Sequence, residues 1–93
     1  MQAVKQNDMR RVKEFLLRNK FLVYDFDHAF LTALHWVAKR GFFGMVRLLI
    51  KNGADSDAKD IIGRSPLYLA ASFHHTKIVQ VVISSSIYSV SFV

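Results

Sequence analysis

The stretch "TALHWVAKRG", residues 32–41, decides how the chain is read. A histidine and a tryptophan sit side by side in an apolar run, and Lys-Arg-Gly follows them. His35 is then either a reactive group, as catalytic base or metal ligand, or a structural one whose ring bridges backbone turns. The first answer makes the chain an enzyme. The second makes it a surface.

Working outward, the sequence repeats itself. "TALHWVAKRGFFGMVRLLIKNGADSDAKD" (32–60) aligns with "SPLYLAASFHHTKIVQVVISSS" (65–86). Thr32 falls on Ser65, Leu34 on Leu67, Ala38 on Ala71, Met45 on Ile78 and Val46 on Val79, each pair 33 residues apart. The opening "AVKQNDMRRVKEFLL" follows at an offset of 34, placing Ala3, Met9 and Val12 on Val37, Phe43 and Val46. A constant offset of this size marks a repeat architecture.

Each unit reads as two short helices followed by a turn. Leu34, Val37 and Ala38 form an apolar stripe at helical spacing, and Gly41 ends that helix. Val46, Leu49 and Ile50 form a second stripe, with Arg47 and Lys51 pointing away. "NGAD" (52–55) places Gly53 as a C-terminal stop before turn residues. In "DIIGRSP" (60–66), Gly63 serves a tight turn, and Pro66 takes the first helical position, where its missing N–H costs nothing.

These residues resemble ankyrin repeats, whose pattern runs through G-x-TPLHLAA, a glycine between the helices, and a leucine-rich second helix ending in GAD. The matching segments are "LTALHWVAKRG…VRLLIKNGADSDAKD" and "GRSPLYLAAS…KIVQVVI". The likeness is close over 27–83 and loose over 2–18. It implies an all-α solenoid of paired antiparallel helices with hairpin turns between repeats. The expected division is a degenerate N-terminal repeat (1–26), a middle repeat (27–59), a C-terminal repeat (60–86) and an apolar tail (87–93). The chain departs from the pattern at Phe30, where the turn glycine is usual, and at Ala33, which replaces the helix-starting proline. His74 holds the inter-helix glycine position, and "NKF" (19–21) replaces GAD. Terminal repeats are often degenerate in this way.

The resemblance also gives His35 its role. Thr32 caps the first helix by accepting from its free N–H groups. The histidine is similar to the family residue whose ring bonds backbone of adjacent turns and ties one repeat to the next. Tyr68 stands at the equivalent place in the last unit.

Composition agrees with a small, cysteine-free domain. With 93 residues there is room for one core, and 52% hydrophobic content argues against disorder. The lack of cysteine removes disulfides, thiolate nucleophiles and Cys-based zinc sites, and fits an intracellular protein, cytoplasmic or nuclear. Residues 1–20 carry six cations and no unbroken apolar stretch, so neither a secretory leader nor a membrane span is expected there. The net charge of +6 is uneven, with six Lys/Arg against Asp8 and Glu14 in residues 1–23. A basic end suggests an acidic partner, nucleic acid or anionic membrane, or simply a solvated helix face.

Each constellation with the residue types for chemistry has a simpler account. His74 and His75 are adjacent, so on a helix they diverge by about 100° and cannot grip one ion together; they read as exposed loop-end residues. Ser65, His35 and Asp60 make a triad only on paper, because no nucleophile elbow is present and Ser65 is the cap equivalent to Thr32. "NGADSDAKD" lacks the closing glutamate of a calcium loop, and Gly41 with Gly44 lacks the Lys-Ser/Thr of a phosphate loop. No catalytic, metal or cofactor residue is expected.

What remains is surface. Ankyrin folds bind partners on the concave face, formed by hairpin tips and the C-terminal part of each first helix. By the motif, this implies His28, Ala29, Leu31, Lys39 and Arg40 in the middle repeat, and Ile61, Ile62, Arg64, Ser72 and Phe73 in the last. Ile61, Ile62 and Phe73 with Lys39, Arg40 and Arg64 make a mixed apolar–cationic patch, suited to a protein partner with an acidic or mixed apolar–acidic surface. The competing account packs Ile61 or Ile62 against a neighbouring hairpin. The expected function is non-catalytic binding, as adaptor, scaffold or small subunit of a larger complex. The alternative is non-specific nucleic-acid binding through Arg10, Arg11, Lys13 and Arg18, weakened by aromatics that mostly fall at core positions rather than in a stacking row. After Lys77 no charge follows, and the alternation of Ile87, Tyr88, Val90 and Phe92 with serines suits an extended strand that folds back as a cap, meets the next repeat of a longer array, or is covered by a partner, the last account being favoured.

Overall fold

The computed structural model describes residues 2–19 and 23–90, and leaves aside the side chains of Gln2 and residues 86–90. Among the described residues six helices follow one another: α1 (Gln2–Lys5), α2 (Met9–Arg18), α3 (Ala33–Arg40), α4 (Phe43–Lys51), α5 (Pro66–Ser72) and α6 (Thr76–Val90). They pair as α1 with α2, α3 with α4, and α5 with α6. The first members form an inner layer, α3 lying between α1 and α5, and α4 packs on α6 in the outer layer.

Local chemistry sets the starts and stops. Asp8 opens α2 by accepting from the Arg11 N–H at 3.2 Å. Thr32 opens α3 and Ser65 opens α5, their hydroxyls accepting from the backbone N–H of His35 (3.3 Å) and Tyr68 (3.1 Å). Pro66 occupies the first turn of α5, where no N–H is needed. Between the helices of each pair one residue turns left-handed: Asn7 (φ 55°), Gly41 (79°) and His74 (61°). The hairpin turns repeat the device at Phe30 (60°) and Gly63 (86°). Glycine alone enters this region without steric cost. The repeat therefore imposes its backbone even on an aromatic and a histidine.

The core is one apolar cluster. Val12 and Leu16 from α2, Leu34, Val37 and Ala38 from α3, and Met45, Val46 and Leu49 from α4 are buried in it, with Ala70 of α5 and Ile78 and Val82 of α6. The spacing of three or four within each helix is the stripe read from the sequence. The chain is all-helical, and extended pairing among the described residues is one isolated bridge, Phe26 to Thr32.

Two expectations are corrected here. Residues 87–90 were expected to be extended, but α6 runs through them to Val90; residues 91–93, including Phe92, lie outside the described residues. A helix already nucleated by Ile78 and Val82 gains one hydrogen bond per added residue, whereas a lone strand leaves its peptide groups unpaired. Most aromatics were expected at core positions, but no described Phe, Tyr or Trp is buried. Phe15, Tyr24, Phe26, Phe30, Tyr68 and Phe73 are exposed, and Phe42 and Phe43 are only half-buried. Small and branched aliphatic side chains fill the narrow space between closely stacked helices.

Candidate functional site

Two hairpins define the edge of the inner face, residues 27–31 and 60–64, and each is organised by an aspartate. Asp27 Oδ1 accepts the backbone N–H of Ala29 and Leu31, both at 3.0 Å. Asp60 Oδ1 accepts those of Ile62 (3.1 Å) and Arg64 (2.7 Å). The second carboxylate oxygen differs. Asp27 Oδ2 accepts from the Trp36 indole N–H at 3.1 Å, and Asp60 Oδ2 from Arg64 Nε at 2.7 Å. Burial pushes both carboxyls up, but these donors outweigh it and hold both below the ordinary range: Leu31, Ala29, Trp36 and nearby Lys5 for Asp27, Arg64 and Ile62 for Asp60. Asp27 and Asp60 were not singled out as structural by sequence reasoning, although their 33-residue spacing was available as a signal.

The hairpins are joined directly. The Ile61 N–H donates to the Ala29 carbonyl at 2.7 Å. His35 makes a second link. Its Nε2 lies 2.8 Å from the Arg64 carbonyl, and its Nδ1 lies 3.1 Å from the Thr32 N–H. A ring that donates at one nitrogen and accepts at the other is neutral, with its proton on Nε2. Burial lowers its pKa, outweighing the Arg64 carbonyl, Asp60 and the Ala58 carbonyl, which act the other way. His35 is fully buried, and its nitrogens face no open site.

His75 makes a third link and corrects the expectation of an exposed loop end. It is half-buried, and its Nε2 donates to the Lys39 carbonyl at 2.9 Å. Its ring lies over Gly41, where a Cβ would come within 2.6 Å of the imidazole. Gly41 is thus required twice, for its φ and for this approach. His74 beside it is exposed. The bond spans 36 residues, so no local pattern announces it.

Around these links lies a surface of rings and cations. Trp36, half-buried, has Lys5 Nζ at 4.2 Å, Arg40 at 5.4 Å and Lys39 Nζ at 5.5 Å from its ring centre. Lys39 also lies 5.8 Å from the Phe73 ring. Sequence reasoning left Trp36 out of the binding face; its repeat equivalent Leu69 is buried, whereas Trp36 reaches the surface. At the tip of the second hairpin Ile61 and Ile62 are 62% and 69% exposed, so neither packs on a neighbouring hairpin among the described residues. His28 and Arg40 are exposed, and Leu31 is half-buried. Arg64 differs from the other cations, because its guanidinium is engaged by Asp60. The structure therefore gathers Lys39, Arg40 and Phe73 around Trp36, holds Ile61 and Ile62 outward on a fixed turn, and withdraws Arg64 into the hairpin.

Paired helices with left-handed turns between them recur at 34 and 33 residues, and the aspartate hairpin appears twice, 33 residues apart. A family description, ankyrin repeats in three copies, matches residues 1–91. The chain is an ankyrin-repeat protein. Ankyrin repeats are protein–protein interaction modules, so protein partners are implied. Among curated relatives, the chain is 32% identical over 81 residues to human protein phosphatase 1 regulatory subunit 27. That alignment covers 87% of this chain and 53% of the relative. An acyl-CoA-binding domain-containing protein 6 homolog from Dictyostelium discoideum is 38% identical over 52 residues, covering 56% of this chain and 18% of the relative. A transient receptor potential cation channel subfamily A member 1 homolog from Caenorhabditis elegans is 29% identical over 72 residues, covering 77% and 6%. The chain spans about half the length of the first of these and much less of the others. No helix among the described residues is long and apolar enough to cross a membrane.

Proposed function

We propose that the chain is a non-catalytic, intracellular binding module that docks a protein partner on its inner face and acts as adaptor, scaffold or small subunit of a larger assembly. We divide it into three repeats at 26/27 and 59/60, with the segment after 86 outside them. The observation that carries the reading is the second hairpin. Ile61 and Ile62 are exposed on a turn whose backbone is fixed by the Asp60 carboxylate and by the bond to Ala29. Apolar side chains presented on a rigid backbone lose little entropy on binding. Lys39 and Arg40, at the C-terminal end of α3 around Trp36, favour a partner of acidic or mixed apolar–acidic surface. His28, Leu31, Arg64 and Phe73 complete the proposed site, Arg64 through its aliphatic stem. Absence of cysteine supports the intracellular setting. Nucleic-acid binding through Arg10, Arg11, Lys13 and Arg18 draws on the same basic balance. Phe15 is the one ring on α2, however, and stacking on single strands uses a row.

A relative that is a phosphatase regulatory subunit makes the catalytic subunit of protein phosphatase 1 the first partner to try. Titrating it into the chain, Ile61→Asp with Ile62→Asp and, separately, Lys39→Glu with Arg40→Glu are each expected to weaken binding about tenfold or more. Failure to bind removes that candidate only. A partner recovered from cells by the parent chain and held equally by both double variants sinks the inner-face reading.

A further inference from the structure

The outer layer carries a separate feature. α2 packs chiefly on α1, and between α2 and α4 lies a hollow of about 430 Å³ with Leu16, Leu17 and Leu48 in its walls. A second hollow of about 620 Å³ shares Lys13, Leu48 and Lys51 with the first and reaches Phe43, Arg47 and Val81. A third, of about 550 Å³, continues from those last three residues to Lys77 and Gln80 on α6. Sharing walls, the three make one trough across the outer faces of α2, α4 and α6. Four cations line it, Lys13, Arg47, Lys51 and Lys77, and among the described residues no carboxylate does. None of the four forms an ion pair among the described residues. Leu17 stands at one end 87% exposed.

We propose that this trough binds an amphipathic helix with acidic flanks, supplied by a protein partner. An apolar floor between cationic walls is the complement of a helix with apolar anchors every three or four residues and Glu or Asp beside them. Separate hollows take separate side chains, whereas a flat bilayer surface would leave their floors unfilled. A helix of about 18 residues is about 27 Å long, and three helices packed about 8–10 Å apart span about 20 Å between their outer axes, so one such helix can cross all three. The inference uses none of the inner-face residues and stands if that face binds nothing.

The test is the full chain, isotopically labelled, titrated with a synthetic helix of about 18 residues bearing leucine anchors and glutamate flanks. Controls are the same peptide with lysine flanks, and vesicles of phosphatidylcholine with phosphatidylserine. Amide shifts are expected on α2, α4 and α6, with binding abolished by lysine flanks. Leu17→Glu with Lys51→Glu, both at exposed positions, is expected to weaken binding about tenfold or more while leaving the melting curve in place. Lys39→Glu with Arg40→Glu is expected to leave it unchanged. Shifts confined to the inner face, indifference to the outer double variant, or binding of vesicles without binding of the peptide each overturn the proposal.

Discussion

The middle and last repeats of this chain share one backbone and hold it with different side chains. At the hairpin turn Phe30 and Gly63 are both left-handed, and between the helices Gly41 and His74 are too. Asp27 and Asp60 bond their hairpins alike through one oxygen. The other oxygen takes Trp36 in the first case and Arg64 in the second, because Leu31, the counterpart of Arg64, has no donor to offer. The inter-repeat histidine follows the same logic. His35 reaches forward to Arg64, and its counterpart Tyr68 is exposed, while His75 reaches back to Lys39 from a different position. What the repeat conserves is a set of satisfied peptide groups. The side chain that satisfies them is negotiable.

The comparison is easiest to break at Gly41. Gly41→Ala forces a Cβ into the left-handed region and against the His75 ring, so it is expected to cost about 2–4 kcal/mol by denaturant unfolding. Adding His75→Ala should return part of that loss and leave the φ penalty. A double variant no more stable than Gly41→Ala would show that the close approach is unimportant.

His35→Ala strands the Thr32 N–H and the Arg64 carbonyl, and a loss of about 1–3 kcal/mol is expected. The same residue sets a pH dependence. Its folded pKa is depressed, so the unfolded chain binds the proton more tightly. Stability from this group is therefore full above its ordinary value near 6.5 and declines as pH falls below it. The aspartate cradles, also depressed, add their own loss only below about pH 4. Melting curves between about pH 7.5 and 5 should fall for the parent and stay flatter for His35→Ala. Parallel curves would refute the neutral, buried imidazole.

The smallest effect is a gain. His74 is exposed and left-handed, so His74→Gly is expected to stabilise by up to about 1 kcal/mol. The change makes the last repeat match the middle one. A loss on this substitution would mean that the His74 side chain holds something the turn needs.

The helical repeat was legible because period, caps and glycine stops are local. Thr32, Ser65, Gly41, Gly53, Gly63 and Pro66 announce themselves within a few residues of the features they serve. The Asp27 and Asp60 cradles were harder, since an aspartate reads as a turn residue until the hairpin shows which N–H groups converge on it. His75 and Trp36 were illegible for a different reason. The partner of His75 lies in another repeat, and Trp36 sits on a position that the repeat frame assigns to the interior. The helix through Val90 was missed because alternation and β-branching describe a strand only where another strand is available to pair with it.

One bond has a consequence for variation. The Ile61 peptide is tied to Ala29 through backbone atoms alone. Every residue except proline carries that N–H, so position 61 can change its side chain without loosening the joint between repeats. Position 62 is held in the same way, by its N–H to Asp60. The tip behaves as a socket with interchangeable fittings. A library randomised at these two places, proline excluded, would alter what the molecule recognises while each member folded as the parent does.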